Sequence, residues 1–414
     1  MRLSFITTGL LLLTLLVQQP AWSQLRLDGQ VRDALTRQPL PFATVFLANT
    51  TYGTTTDSTG HFVLAGMPAG QYEFTVSYVG YELYTKALPL QQSTTLAPSL
   101  KPSASLSEVV IRPTKNRPAD YRRFTKQFFG SSAFAQQCRI ENPDDVVVVF
   151  DAAQQELAAI APRQLAVINQ ALGYRITYHR FDFKVNYASS RLTFVAAPVF
   201  EELKGTNDQQ QRWEANRRKA YAGSFPHFLR SVREDQIAQE GFLVQRLVTE
   251  PNSAPLQLRL KQASDSLAAV FTPASGVVAF VYKQALSAAQ ICQAESLAAT
   301  GKVRFRSNSD LRVTYQGEQP DAQYVALTLA ASHAALREAA SNQLQPNLSA
   351  AVARKAQPNG PVLEVSDLRQ LGPAAIIQPN GYLTNPLSVK LDGYWAFERV
   401  GEALPLDYSP AQLR

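Results

Sequence analysis

From Thr44 to Tyr81 the apolar residues fall at every second position: Val45 and Leu47, then Phe62 and Leu64, then Tyr72, Phe74, Val76 and Tyr78. A period of two places each set on one face of a β-strand. Turns are written between them. Asp57-Ser58-Thr59-Gly60 supplies an acceptor at the first turn position and a glycine where the chain needs positive φ, and Pro68-Ala69-Gly70 repeats that chemistry before the next strand. Upstream, Leu25, Leu27 and Val31 alternate with Arg26, Asp28 and Gln30, so this strand faces a core on one side only. Strands near 43–48, 61–65, 71–78 and 82–88 complete an antiparallel β-sandwich.

Beyond Pro118 the pattern changes. Tyr121, Phe124, Phe128 and Phe129 have near-helical spacing, and Val146–Phe150 is a short apolar run suited to a buried strand. Gly173–Tyr187 reads as one long strand with Phe181, Phe183, Val185 and Tyr187 on one face, and Arg191–Ala196 returns beside it as a hairpin. Gln209–Tyr221 is expected to be helical and to stop at Gly223, and a second helix is expected from Ser224 to about Gln239. The remainder mixes short strands, Val303–Phe305, Leu311–Tyr315 and Tyr324–Leu329, with turns such as Pro379-Asn380-Gly381. The expected class is mainly β: an N-terminal antiparallel sandwich followed by a β-rich α+β region. No repeat of solenoid or propeller length is present.

Gly53-Thr54-Thr55-Thr56-Asp57-Ser58-Thr59-Gly60, the following His61-Phe62 and the closing Val76-Ser77-Tyr78-Val79-Gly80-Tyr81 resemble the carboxypeptidase regulatory-like domain, a transthyretin-like β-sandwich. The resemblance covers about residues 25–100. It implies a fold and an export route, because similar modules precede TonB-dependent outer-membrane receptors and other exported envelope proteins. It implies no peptidase activity, since in carboxypeptidases the module accompanies a separate zinc enzyme. Leu106–Ile111 resembles the TonB-box-like segment that follows the module in receptors, but too little chain follows for a receptor barrel, which favours a plain linking strand. The stretches Phe128–Cys138, Ala171–Tyr174, Arg217–Arg230, Gly393–Arg399 and Leu404–Tyr408 are similar to uncharacterised exported proteins that carry this module, and bring no activity with them.

Composition fixes the address. Arg2, the apolar run Leu10–Val17 and the small residues of Ala21-Trp22-Ser23 form a leader pattern, so a mature chain starting at Gln24 is expected. No cysteine stands directly after the cleavage site, so no lipoprotein anchor is expected, and no later run is long enough for a transmembrane helix. The domains expected are a leader over 1–23, the sandwich over 24–100, a linker over 101–120, an α+β region over 121–250 and a β-rich region over 251–414. With 45% hydrophobic and 18% charged residues the 414-residue chain is globular. Its 40 Lys plus Arg against 33 Asp plus Glu are dispersed, which is no nucleic-acid signature. An envelope protein or glycan is the expected partner, with association to the outer membrane allowed.

Candidate chemistry is sparse. Cys138 and Cys292 are free to pair in an oxidising compartment or to stand as separate buried thiols. Arg217, Arg218, Lys219, Arg230 and Arg233 gather on the expected helical pair, either as a solvated face or as an anion-binding one. The four histidines, His61, His179, His227 and His333, have no metal-sharing spacing, and neither a GxSxG elbow nor a phosphate loop occurs. No cofactor is expected. Asp144-Asp145 and Glu201-Glu202 are the adjacent carboxylates to weigh for glycoside hydrolysis. The favoured expectation is a non-enzymatic exported binding or assembly protein, and the alternative is an envelope hydrolase acting on peptide or glycan.

Overall fold

The structure is a computed structural model that describes residues 24–103, 116–274, 276–293, 303–330 and 362–410. The expected leader, the segment Leu106–Ile111 and His333 lie outside the described residues. Two compact units are formed, one from Met1–Leu47 with Tyr52–Ala104, the other from Ala48–Thr51 with Ser105–Arg414.

The first unit is mostly strands: β1 Leu25–Gln30, β2 Arg32–Asp33, β3 Thr44–Leu47, β4 Gly53–Thr55, β5 His61–Met67, β6 Gly70–Ser77, β7 Tyr84–Leu90, β8 Thr94–Leu96 and β9 Ser99–Leu100. β4-β3-β6-β7 make one antiparallel sheet and β5-β1-β8 a second. The sandwich is not wholly antiparallel, because β8 runs parallel to β1 and β9 parallel to β2. The period-two residues do what that period requires: Leu27, Val45, Leu47, Phe62, Leu64, Phe74 and Val76 meet in one core. The turn at 57–60 is fixed by Asp57, whose Oδ1 accepts from the backbone N–H groups of Thr59 and His61. Gly60 has φ +77°, and a Cβ there would lie 2.8 Å from the Val31 carbonyl oxygen. Only glycine satisfies both constraints.

In the second unit, α1 Pro118–Phe129 packs on a sheet ordered β10-β12-β13-β14, with β11 also pairing β12. The strands are β10 Cys138–Ile140, β11 Val147–Asp151, β12 Glu156–Asn169, β13 Tyr174–Asn186 and β14 Arg191–Glu202. β12 was hidden by Pro162, which breaks a strand pattern because it has no N–H to donate. The chain accommodates it with a register shift between Ala161 and Gln164, matched on β13 by a shift around Arg180, a residue at φ +55°. Phe124 and Phe128 of α1 meet Phe181 and Phe183 of β13 in the core beneath.

Helices α2 Asn207–Tyr221 and α3 Phe225–Arg233 follow. α2 begins with a Thr206/Gln209 capping box, and α3 stops short of the expected Gln239 because Asp235 turns to φ +55°. The chain continues with β15 Phe242–Pro251, α4 Ala254–Gln262, β16 Leu267–Ala274, β17 Val277–Ala285, α5 Ala288–Ile291, β18 Cys292–Gln293, β19 Val303–Phe305 and β20 Asp310–Tyr315. Residues 322–330 are helical, α5 being followed by this α6, where a strand over Tyr324–Leu329 was expected. Asp321 decides it: its Oδ1 accepts from Gln323 N–H and its carbonyl from Val325 N–H, an N-terminal cap ahead of residues rich in alanine and leucine. β21 Glu364–Gln370, β22 Ala375–Ile377, β23 Val389–Gly393 and α7 Tyr394–Phe397 close the unit. A six-stranded sheet, β16-β17-β15-β20-β21-β23, and a small sheet, β18-β19-β22, enclose a second core around Phe228, Phe242, Phe305 and Trp395. Among the described residues no helix is long and apolar enough to cross a membrane.

Candidate functional site

Four glutamates far apart in sequence are brought together in the second unit. Glu318 follows β20, Glu364 opens β21, and Glu398 and Glu402 lie on the segment after α7. Burial raises all four carboxyls, and at Glu364, Glu398 and Glu402 repulsion from neighbouring glutamates adds to it: Glu364 is pushed up to about 8, Glu402 and Glu318 to about 7, and Glu398 well above its usual range. Lys219 at the end of α2 works in the opposite direction on Glu318, Glu364 and Glu402.

Glu364 is 2% exposed, and neither of its carboxyl oxygens has a hydrogen-bond partner. The Tyr394 hydroxyl approaches closely enough to lower its pKa somewhat, from outside good hydrogen-bond geometry. Gly223 permits this placement, since a Cβ at that position, φ +74°, would come 2.3 Å from a Glu364 oxygen. Trp395 holds the same turn, donating from its indole to the Gly223 carbonyl at 2.8 Å while its backbone N–H donates to the Ser366 hydroxyl.

Glu398 and Glu402 also border a cavity of about 250 Å³, and each keeps part of its surface open although protein crowds its carboxyl. Its walls include Tyr221, Phe225, Trp395 and Tyr408. Two arginines line it as well, and both donate to backbone carbonyls while keeping their positive charge beside the two carboxyls. Arg230 donates to the carbonyls of Leu406 and Tyr408 and lies over the Tyr221 ring, whereas Arg399 donates to those of Ala396 and Gln127. They fasten the C-terminal strap.

The basic residues read from the helical pair do not form one face. Arg217 is 7% exposed and donates to the Leu172 and Gly173 carbonyls, with its guanidinium 4.0 Å from the centre of the Tyr174 ring. Arg233 donates to the Ile377 carbonyl. Arg218 and Lys219 are exposed, Arg218 lying 4.0 Å from Glu214. The expectation that long basic side chains here keep their charges in water therefore fails at Arg217, because α2 packs its guanidinium onto the β12–β13 turn. Arg217→Ala is expected to cost about 2–4 kcal/mol, since two carbonyls lose their donors and a ring loses its cation. The Glu202 partner adds little, being 62% exposed at the side chain. Arg218→Ala should stay within about 0.5 kcal/mol of wild type. Urea denaturation of the two variants checks this, and equal stabilities would contradict it.

No disulfide joins Cys138 and Cys292, which pack against different hydrophobic cores. Burial pushes both thiols up to about 12, so neither is a thiolate nucleophile near neutrality. His179 is buried and its pKa is driven down to about 4 by loss of water. His227 accepts from Gly223 N–H at Nδ1, so its Nε2 carries the proton toward Glu240 at 3.2 Å, a neutral ring holding a turn. His61 sits in the Asp57 turn against Thr59. Asp145 accepts from Asn142, Asp144 is exposed, and Glu202 accepts from Arg217, so neither adjacent carboxylate pair faces a cleft of its own. Among the described residues no three histidines, cysteines or carboxylates gather closely enough to hold a metal ion. The glutamate cluster was invisible as a motif, because its members are separated by up to 84 positions (402 minus 318).

Residues 27–111 match the family model of the CarboxypepD_reg-like domain. The N-terminal unit is such a domain. The match ends well before the second unit's sheets begin, so it speaks for the module alone. No curated protein matches the chain. Solved structures that it is similar to include a type II cohesin–X-dockerin complex from Acetivibrio cellulolyticus, 17% identical over 26% of this chain and 76% of that one, with a TM-score of 0.19. A minor pilin of Streptococcus agalactiae is 19% identical over 20% of this chain and 46% of its own, TM-score 0.17. Catechol 1,2-dioxygenase from Acinetobacter is 18% identical over 17% of this chain and 38% of that chain, TM-score 0.15. The chain thus spans well under two thirds of the dioxygenase and of the pilin.

Proposed function

We propose that the protein is a non-enzymatic exported component of the cell envelope with a binding or assembly role through its β-sandwich module. The observation that carries this reading is the CarboxypepD_reg-like module itself, a unit with its own core, joined to a second unit whose histidines and cysteines, among the described residues, are spent on structure. Leader-like residues ahead of Gln24 agree with export. The test is fractionation of cells expressing the full chain beside a full-length chain whose module core is broken by Phe74→Asp, with N-terminal sequencing of the recovered protein. The full chain is expected in the envelope fraction beginning at Gln24, and loss of the module should lower that recovery. Retained Met1 with recovery in the cytosol would overturn the reading.

One observation favours a second reading, a hydrolase acting on peptide or glycan. Glu402 is held near 7 beside a cavity, and a carboxyl that keeps its proton near neutrality can serve as a general acid. Release of soluble fragments from isolated envelope glycan or peptide by wild type, abolished in Glu402→Gln, would establish it. No release above a buffer control removes it.

A further inference from the structure

We propose that the cavity between the β13–β14 hairpin, the end of α1 and the C-terminal strap is a binding site for a free medium-chain fatty acid, with the alkyl chain among aromatic rings and the carboxylate on Arg399. This goes beyond the envelope role and does not depend on it.

This cavity is separate from the one that Glu398 and Glu402 border. It measures about 280 Å³ and lies wholly within the second unit. Tyr178 and Phe183 are five positions apart and would face opposite sides of a regular strand, but the register shift around Arg180 turns both toward α1. With Phe128 they make the deep wall, each 2% exposed or less. Leu192, Phe194 and Leu404 make the outer wall and keep part of their surface open, which leaves a way in.

Hydrogen-bond donors converge on this apolar space, the combination expected of a ligand site. The Tyr178 hydroxyl has no hydrogen-bond partner among the described residues, and burial raises its pKa, so it remains a donor. Arg399 is the one charged residue of the wall among the described residues. It spends two donations on the Ala396 and Gln127 carbonyls, which leaves its other guanidinium N–H groups without partners. Glu398 and Glu402 stand in the wall of the neighbouring cavity, yet burial alone moves the Arg399 pKa, downward, with no carboxylate countering it. These features select the ligand. At about 30 Å³ per non-hydrogen atom the cavity holds about nine or ten such atoms, the size of octanoate and too little for a two-chain lipid. A cation would meet the guanidinium, and a hydrocarbon would leave both the guanidinium and the hydroxyl unpaired. A carboxylate matches the planar fork of arginine and accepts from both groups.

The experiment is titration calorimetry of the full chain with octanoate below its micelle concentration, beside octylammonium, which has the same chain length and the opposite charge. Saturable binding of octanoate is expected, with octylammonium weaker by about tenfold or more. Leu192→Trp fills the cavity from its outer wall without touching a hydrogen-bonding side chain, and should weaken octanoate by about tenfold or more. Arg399→Gln removes the charge that holds the head and should abolish the preference for octanoate over octylammonium. Circular dichroism and thermal melting establish that each variant is folded. Arg399 also fastens α1 through the Gln127 carbonyl, so if its variant does not fold, Leu192→Trp decides. The proposal is overturned by the absence of saturable heat with octanoate, or by equal binding of the two amphiphiles to wild type. Undiminished octanoate binding in folded Leu192→Trp overturns it as well, and so does an undiminished preference for octanoate in folded Arg399→Gln.

Discussion

Phe128→Ala is expected to destabilise the second unit by about 3–5 kcal/mol, the range for emptying a buried phenylalanine site that cannot collapse. Phe128 is 1% exposed, and its ring lies 5.2–5.8 Å from the ring centres of Phe124, Phe181, Phe183, Phe194 and Tyr178. Most of those contacts are edge-to-face, an arrangement worth about 0.5–1.5 kcal/mol per pair beyond the area buried. Collapse is hindered because the ring already borders a cavity of about 280 Å³, lined also by Tyr178, Phe183, Phe194 and Leu404. Truncation would enlarge that space rather than let neighbours close on it. Calorimetry should show the second unit's transition falling by roughly 10 °C. The N-terminal module has a separate core built on residues such as Phe62 and Phe74, and its transition should stay in place. A loss below about 1 kcal/mol would mean that the aromatic cluster is looser than its ring geometry implies.

The N-terminal module was legible in the sequence because a half-buried strand writes its period directly. Phe62, Leu64, Phe74 and Val76 were assigned to a core from spacing alone, and all are 5% exposed or less. The same rule found the hairpin of β13 and β14. It missed β12, where Pro162 and a run of alanines obscure a fourteen-residue strand whose pairing supplies the pattern the local sequence lacks. At Tyr324–Leu329 the apolar positions fit either period, and the cap at Asp321 settled the choice. Charge was harder still. Arg217 and Arg218 are neighbours of the same type, and only the packing of α2 sends one under a tyrosine ring and the other into solvent.

The glutamate cluster marks the limit of local reading. Each member lies in an ordinary sequence context, and Glu398 and Glu402, spaced by four, would suggest an exposed helix face. They instead sit on a segment held down by Arg230, which donates to its Leu406 and Tyr408 carbonyls, by its own Arg399, which donates to the Gln127 carbonyl, and by Asn169, which donates to Gly401. Long-range backbone capping of this kind brings residues 318, 364, 398 and 402 to one place, and no spacing rule encodes it.

Glu364→Gln is expected to make the protein more stable than wild type in alkaline solution and to leave it similar or slightly weaker in acid. The folded-state pKa of Glu364 is raised to about 8 from an ordinary 4.5, chiefly by burial and then by Glu318. A raised carboxyl contributes its stability fully below the unfolded value, and loses it as pH climbs through the folded one, because the unfolded chain releases its proton first. Between about pH 5 and pH 8 the wild type should therefore give up about 2–4 kcal/mol at this residue, at about 1.4 kcal/mol per unit of pH. Glutamine cannot titrate, so it escapes that loss. Any cost of burying its amide without good partners, about 1–3 kcal/mol, applies equally at every pH and does not alter the slope. His179 acts with the opposite sign, since its depressed pKa of about 4 gives stability that is present above about 6.5 and lost as pH falls. Comparison above about pH 6.5 keeps the two apart. Urea midpoints of both proteins across that range are the measurement, with Glu318 and Glu402 relieved of one repulsive neighbour in the variant. Parallel stability curves for wild type and variant would show that Glu364 is ionised and paired in solution, and its burial without a partner would then be refuted.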